Sequence, residues 1–99
     1  MKHLFIVNPV AGKKGSTDAL LAEIHKVCGD KGLDYEIRTT GGVGDACHIA
    51  RAAAETGEDV RIYACGGDGT LNEAVNGAAG YENAAVTVLP KGTGNDFLK

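Results

Sequence analysis

Three glycines surround one carboxylate and one hydroxyl in Gly66-Gly67-Asp68-Gly69-Thr70. Glycine leaves the backbone bare, so amide N–H groups there can approach a ligand without side-chain obstruction. The apolar run Val60–Cys65 precedes the segment and an amphipathic pattern follows it, so it reads as strand, turn, helix start. The unpaired N–H groups and the positive dipole end of that helix favour phosphate. Asp68 is the odd member, because phosphate repels a carboxylate. It fits if Mg²⁺ lies between them, directly or through water. It can also accept a proton from an attacking hydroxyl. Thr70 can cap the helix or donate to a phosphate oxygen. Spacing alone leaves open a plain tight turn with a capping Asp.

Other loops carry similar chemistry. Asn8-Pro9-Val10-Ala11-Gly12 follows a first apolar run and leads into Lys13 and Lys14, which can act as point charges toward phosphate or simply be solvated. Asn8, at a strand's carboxyl end, can bond a nucleotide or brace a neighbouring loop. Thr40 opens a second glycine-rich turn, Gly41-Gly42-Val43-Gly44, and Thr93 lies between Gly92 and Gly94. Glu73 sits with Asn72 and Asn76, placed to orient lysine or ribose groups or to complement a helix dipole. Two familiar motifs fail. Gly12-Lys13-Lys14-Gly15-Ser16 has the Walker ingredients in the wrong order, and neither Gly67-Asp68-Gly69 nor Gly42-Val43-Gly44 continues to the third small residue of GxGxxG. His3, His25 and His48 show no ligand spacing.

These loops need a scaffold that gathers them. His3–Val7 reads as a buried strand. Ser16 or Thr17 is placed to cap a helix whose Leu20, Leu21, Ile24, Val27 and Cys28 share one face, with Gly29 and Gly32 as stop signals. Leu33, Tyr35 and Ile37 alternate with Asp34, Glu36 and Arg38, a strand with one wet side near a sheet edge. Asp45 is placed to cap a second helix with a small-residue face of Ala46, Ile49, Ala50, Ala53 and Ala54, ending at Gly57. Val60–Cys65 is a third strand. A third helix carries Leu71, Ala74, Val75 and Ala78 on one face and ends near Gly80, and Ala84–Leu89 is a fourth strand. The order βαβαβαβ predicts an α/β fold: an open parallel sheet flanked by helices, with right-handed crossovers. Ligands in such sheets bind at the carboxyl ends of strands, where all of these loops fall.

Composition narrows the function classes. The 99 residues suffice for one domain, and 43% apolar with 23% charged residues is an ordinary globular balance. The 15 glycines cluster between apolar runs, as functional turns do. A net charge of -3 with no Lys/Arg cluster argues against nucleic acid. No apolar run approaches the ~20 residues of a membrane span. Met1-Lys2 leads straight into a strand, with no cleavable leader pattern. Cys28, Cys47 and Cys65 are too few and too scattered for a disulfide framework or a CxxC site, and read as reduced thiols of a cytoplasmic chain.

Together, Asn8-Pro9-Val10-Ala11-Gly12, the run from Gly66 to Gly77 (GGDGTLNEAVNG) and the run from Pro90 to Phe97 (PKGTGNDF) resemble the diacylglycerol kinase catalytic family, over essentially the whole chain. A bare Gly-Gly-Asp-Gly-Thr also matches NAD kinases and, more loosely, phosphofructokinases. The Leu-Asn-Glu-x-Val-Asn-Gly extension and the Gly-Thr-x-Asn-Asp-Phe run favour the lipid kinases, including sphingosine and ceramide kinases. The resemblance implies ATP as donor, Mg²⁺ as cofactor, and a lipid hydroxyl as acceptor, with diacylglycerol giving phosphatidic acid in phospholipid biosynthesis. It implies a nucleotide lying along Asn8, Pro9, Val10, Ala11, Gly12, Thr40, Gly66, Gly67, Asp68, Gly69, Thr70, Leu71, Asn72, Glu73 and Thr93, with Asp68 as the catalytic candidate near phosphates and metal. Family members continue into a β-rich second domain that supplies the lipid site, metal-binding carboxylates and the main base. Residues 1–99 are therefore expected to be a Rossmann-like, three-layer nucleotide-binding domain, truncated before that second domain and inactive alone. The full protein is expected to touch the membrane peripherally, and the fragment can form a homodimer through apolar surface left uncovered. Two rival readings stand beside this one. The first is a NAD-kinase-like enzyme with Asp68 as base toward a ribose hydroxyl. The second is a non-catalytic nucleotide-binding module.

Overall fold

Leu4, Phe5, Ile6 and Val7 are all buried, so the first strand is apolar on both faces and needs cover on both. A computed structural model describes residues 1–9, 14–66 and 68–89, with backbone alone at 14–17. The elements run β1 (Lys2–Val7), α1 (Lys14–Lys31), β2 (Tyr35–Thr39), α2 (Asp45–Glu55), β3 (Val60–Cys65), α3 (Asp68–Ala78) and β4 (Ala84–Val88). All strand pairs are parallel, and the sheet order is β2-β1-β3-β4. The chain is thus the expected α/β fold with the expected order of elements.

The order reverses direction once. From β1 the chain steps outward to β2, then back past β1 to β3 and on to β4. Right-handed crossovers require helices on opposite faces when the direction reverses. Accordingly α1 packs on one face, with Ile24 and Cys28 against Phe5, Val7, Tyr63 and Cys65. The two later helices share the other face, with Ala46, Ala50, Ala74 and Ala78 against Leu4, Ile6, Val60, Ile62 and Ala64. The switch point lies between β1 and β3, where open α/β sheets bind ligands.

Several boundaries differ from the sequence expectation. α1 starts at Lys14, so Ser16 and Thr17 lie inside its first turn rather than ahead of it. It passes through Gly29 and closes at Gly32, whose φ is 65°. There the Gly32 N–H reaches the Gly29 carbonyl at 3.2 Å and the Leu33 N–H reaches the Cys28 carbonyl at 3.0 Å, a Schellman close that only a left-handed residue permits. α3 starts at Asp68, so Thr70 sits in the helix, 5% exposed, and not ahead of it as a cap. Val75 is 48% exposed, off the buried face, because Gly77 turns inward in its place.

That rotation follows from how closely α2 and α3 approach. A Cβ on Gly77 would run into the carbonyl oxygen of Cys47 and lie 3.0 Å from the Ala50 Cβ. Mid-helix Gly ordinarily costs about 0.5–1 kcal/mol relative to Ala. Here the contact outweighs the propensity. Gly77→Ala is expected to destabilise the chain by about 1–3 kcal/mol through overpacking. A urea midpoint that stays put or rises would remove the close-approach explanation.

The three thiols are free. Burial pushes the Cys65 thiol up to about 12 and raises Cys28 as well. Thiolates, not thiols, react with alkylating agents. Iodoacetamide at mild alkaline pH is therefore expected to label half-exposed Cys47 first, with Cys28 and Cys65 labelled only on unfolding. Peptide mapping of a labelling time course checks the order.

Candidate functional site

Parallel pairing sets the rim. Val7 is registered with Thr39 on one side and Cys65 on the other, so β1, β2 and β3 end level. The Asn8 N–H donates to the Cys65 carbonyl at 3.0 Å, and the Thr40 N–H donates to the Val7 carbonyl at 2.9 Å. Asn8, Thr40 and Gly66 are thereby held side by side at the carboxyl edge.

Gly66 is where strand and helix come closest. Its φ is 157°, and a Cβ there would lie 2.8 Å from Asn8 Cβ and 2.9 Å from Thr70 Oγ1. Any side chain would wedge β1 away from the start of α3. The glycine thus lets the helix begin directly against the strand ends. The first-turn N–H groups of a helix have no intrahelical partner, and its N-terminus carries partial positive charge. Asp68 stands exposed at that start.

The β2–α2 loop forms the opposite wall. α2 begins after Gly44, whose φ is 91° and which has no side chain to cap the helix. The cap comes from α3 instead. One Glu73 carboxylate oxygen accepts from the Gly44 N–H at 3.1 Å and the Ala46 N–H at 3.2 Å. Asp45, expected to cap α2, lies inside its first turn, and its carboxylate accepts from the Gly41 N–H at 2.6 Å. Two carboxylates thus hold the loop, one from within and one across the cleft floor.

Between these walls lies a cleft of about 350 Å³. Asn8, Gly66, Gly69, Thr70 and Glu73 line one side, and Thr40, Gly41, Gly42, Val43 and Ala46 the other. Of the residues predicted from the sequence, the structure gathers Asn8, Thr40, Gly66, Gly69, Thr70 and Glu73 here. Asp68 lies at the start of the same helix but is not a lining residue. Leu71 packs against the apolar core under α2 and α3, while Asn72 and Pro9 are exposed outside the cleft. Val10, Ala11, Gly12, Gly67 and Thr93 lie outside the described residues, as do Lys13 and the side chain of Lys14.

No described lining residue is Lys or Arg, and Glu73's charge is already directed at the amides of α2. An anion in the cleft would therefore meet backbone N–H groups, the amide of Asn8 and the hydroxyls of Thr40 and Thr70. Among the described residues no three His, Cys, Asp or Glu side chains cluster to hold a metal. An ion at Asp68 would need ligand oxygens supplied by a bound phosphate, the usual arrangement for Mg²⁺. Asp68 is accessible and beside the helix start, so its chemistry fits that role.

Sequence reasoning placed the Thr40–Gly44 turn on this rim but named only Thr40 there as a contact, and it missed Ala46 as a lining residue. It also missed the cap that Glu73 provides. Glu73 and Gly44 are 29 positions apart, too far for any local spacing to pair them.

Comparison with known proteins agrees with this fold. The family model described as diacylglycerol kinase catalytic domain matches residues 2–99. A diacylglycerol kinase of Bacillus subtilis strain 168 is 39% identical over 95 residues, covering 95% of this chain and 31% of that protein. A "probable lipid kinase YegS-like" of Cronobacter sakazakii is 37% identical over 89 residues, covering 87% of this chain and 29% of its own. Among solved structures, a candidate diacylglycerol kinase from Bacillus anthracis strain Sterne superposes with a TM-score of 0.70 at 35% identity, across 97% of this chain and 32% of that one. The chain thus spans about a third of the length of these relatives. With a rim built from strand ends, a glycine-bared helix start and a family match over residues 2–99, the chain belongs to the diacylglycerol kinase catalytic domain family.

Proposed function

We propose that residues 1–99 form the ATP-binding domain of a lipid kinase, in which the γ-phosphoryl group passes to a lipid hydroxyl. Diacylglycerol, giving phosphatidic acid, is the acceptor the relatives' names favour. The observation that carries this reading is the meeting of Asn8, Thr40, Gly66 and the first turn of α3 around one cleft. Phosphoryl transfer needs little covalent help from protein. It needs positioning and charge stabilisation.

In this reading the first-turn amides of α3 receive phosphate oxygens. The Thr70 and Thr40 hydroxyls and the Asn8 amide fix the orientation of the nucleotide between the two walls. Glu73 keeps the β2–α2 wall in place by holding the Gly44 and Ala46 amides. Asp68 would share Mg²⁺ with the phosphates, and the ion, when bound, offsets their charge. The acceptor site and the main base belong to a second domain of β-rich type. That makes this chain a nucleotide-binding half that contacts the membrane only through its partner domain, in a cytoplasmic protein. Among the described residues no helix is long and apolar enough to cross a membrane.

Calorimetric titration tests the reading. The chain is expected to bind ATP better with Mg²⁺ than without, and to prefer ATP over NAD⁺. It is expected to transfer no label from γ-labelled ATP to diacylglycerol in mixed micelles. Appreciable transfer by residues 1–99 would refute the division into halves, and absence of ATP binding would refute the site. Asp68→Asn is expected to weaken Mg²⁺-dependent binding about tenfold, equivalent to about 1.4 kcal/mol, with little change when Mg²⁺ is absent.

Glu73 gives a separate check. Glu73→Ala is expected to cost about 0.5–2 kcal/mol, as loss of a helix cap does. Faster hydrogen exchange at the Gly44 and Ala46 amides and several-fold weaker ATP binding should accompany it. Glu73→Gln retains an acceptor oxygen and is expected to keep most of both. Equal exchange rates in all three proteins would show that the cap is not what holds the loop.

A further inference from the structure

The two walls of the cleft differ in charge, and the difference gives a nucleotide one direction to lie. On one wall the start of α3 presents first-turn amides, and Gly69 leaves them bare, with nothing within 4 Å of where a Cβ would be. On the other wall the amides are already occupied. The Gly41 N–H donates to the Asp45 carboxylate at 2.6 Å, and the Gly44 and Ala46 N–H groups donate to Glu73 at 3.1 and 3.2 Å. Two carboxylates are thus bound into segment 41–46, and they repel a phosphate. What this wall offers a ligand is apolar surface, from Gly41, Gly42, Val43 and Ala46. None of these four side chains carries a polar atom.

Val43 is the most prominent of the four. Its side chain is 100% exposed although it lines the cleft. A lone exposed valine on a surface needs no explanation. This one stands on a loop tip whose flanks are fixed. The Thr40 N–H is tied to β1 at 2.9 Å, the Gly42 carbonyl accepts from the Asp45 N–H at 3.3 Å, and the Gly44 carbonyl accepts from the His48 N–H at 3.1 Å. The tip is therefore ordered before any ligand arrives, and a ligand that covers Val43 need not supply that ordering.

Gly42 is a second, independent sign. Gly44 requires glycine because its φ is 91°. Gly42 is not among the positive-φ residues, and a Cβ on it would meet nothing within 4 Å. The chain's own packing makes no demand for glycine at 42. A bare backbone beside Val43 lets a flat ring come close to the loop.

We propose that Val43, with Gly42 beside it, is the platform for the nucleobase. The ring lies face-on against the Val43 methyl groups, and the triphosphate runs across the cleft to the start of α3. The proposal rests on the nucleotide-binding reading above and adds the direction in which the nucleotide lies. An apolar platform reads the face of a ring and not its hydrogen-bonding edge. Val43 therefore adds affinity without choosing between adenine and guanine.

Calorimetric titration of the 99-residue chain with ATP, GTP and inorganic triphosphate, each with Mg²⁺, tests this. Val43→Ala is expected to weaken ATP and GTP alike by about fivefold, equivalent to about 1 kcal/mol, and to leave inorganic triphosphate within about twofold of wild type. Val43→Phe gives the ring a larger face to stack on and should tighten both nucleotides. Gly42→Ala should weaken both nucleotides and spare inorganic triphosphate. Positions 42 and 43 make no packing contact that folding needs, so thermal midpoints should hold in all three variants. In NMR spectra the Val43 methyl signals should move upfield with ATP, under the ring current of the base, and stay in place with inorganic triphosphate. A wild-type chain that does not bind ATP overturns the nucleotide-binding reading and the platform together. ATP binding that is indifferent to Val43→Ala overturns the platform alone. So does a loss that inorganic triphosphate shares equally, or a methyl shift that inorganic triphosphate reproduces.

Discussion

The close approach of β1, β3 and α3 at Gly66 is the constraint on which the site depends. A side chain there would collide with Asn8 and Thr70 together. Without one, the helix starts against the strand ends, and its amides open onto the same rim as the Asn8 and Thr40 backbones. The gain is electrostatic and the condition is steric. Partial positive charge at a helix start is useful to an anion only within reach of the first turn.

Glu73 and Asp45 show how a second wall is held opposite the first. The β2–α2 loop contains Gly41, Gly42 and Gly44, and glycine-rich backbone has much conformational freedom to lose on folding. Carboxylates aimed at amide N–H groups supply strong, directional anchors for such a loop. Because Glu73 comes from α3, the helix that offers its start to the cleft also fixes the wall across from it. The α2 amides are consequently occupied, which leaves α3 as the helix whose first turn faces the cleft unopposed by a described carboxylate cap.

The two helices on this face can act together because they pack without large side chains. Ala46, Ala50, Ala74, Gly77 and Ala78 meet at a distance set by backbone atoms. Packing of this kind is stiff, since each contact involves atoms that cannot rotate away. At the far edge of the sheet the opposite holds. β2 is covered on the α1 side through Tyr35 and Ile37, while on the other side Glu36 and Arg38 border an open pocket across from Ile49 and Ala53 of α2, and the Glu36 carboxylate is held by Lys2 and Arg38.

The sequence alone determined the element types, their order and the fold class, because each segment carries its own signal. Alternation marked β2 as an edge strand, the alanine stripe marked α2, and glycine clusters marked the rim loops. Periodicity is local, so it survives without knowledge of the neighbours. Most of the candidate cleft was legible for the same reason, since the rule that parallel sheets bind at their carboxyl ends turns loop positions into a place. Tertiary structure decided the rest. It set the sheet order, turned Val75 outward and Gly77 inward, started α3 at Asp68, and gave the α2 cap to Glu73 instead of Asp45. Each of these depends on which elements touch at long sequence separation. No spacing within one segment carries that information, because the contact distance is fixed by packing between segments.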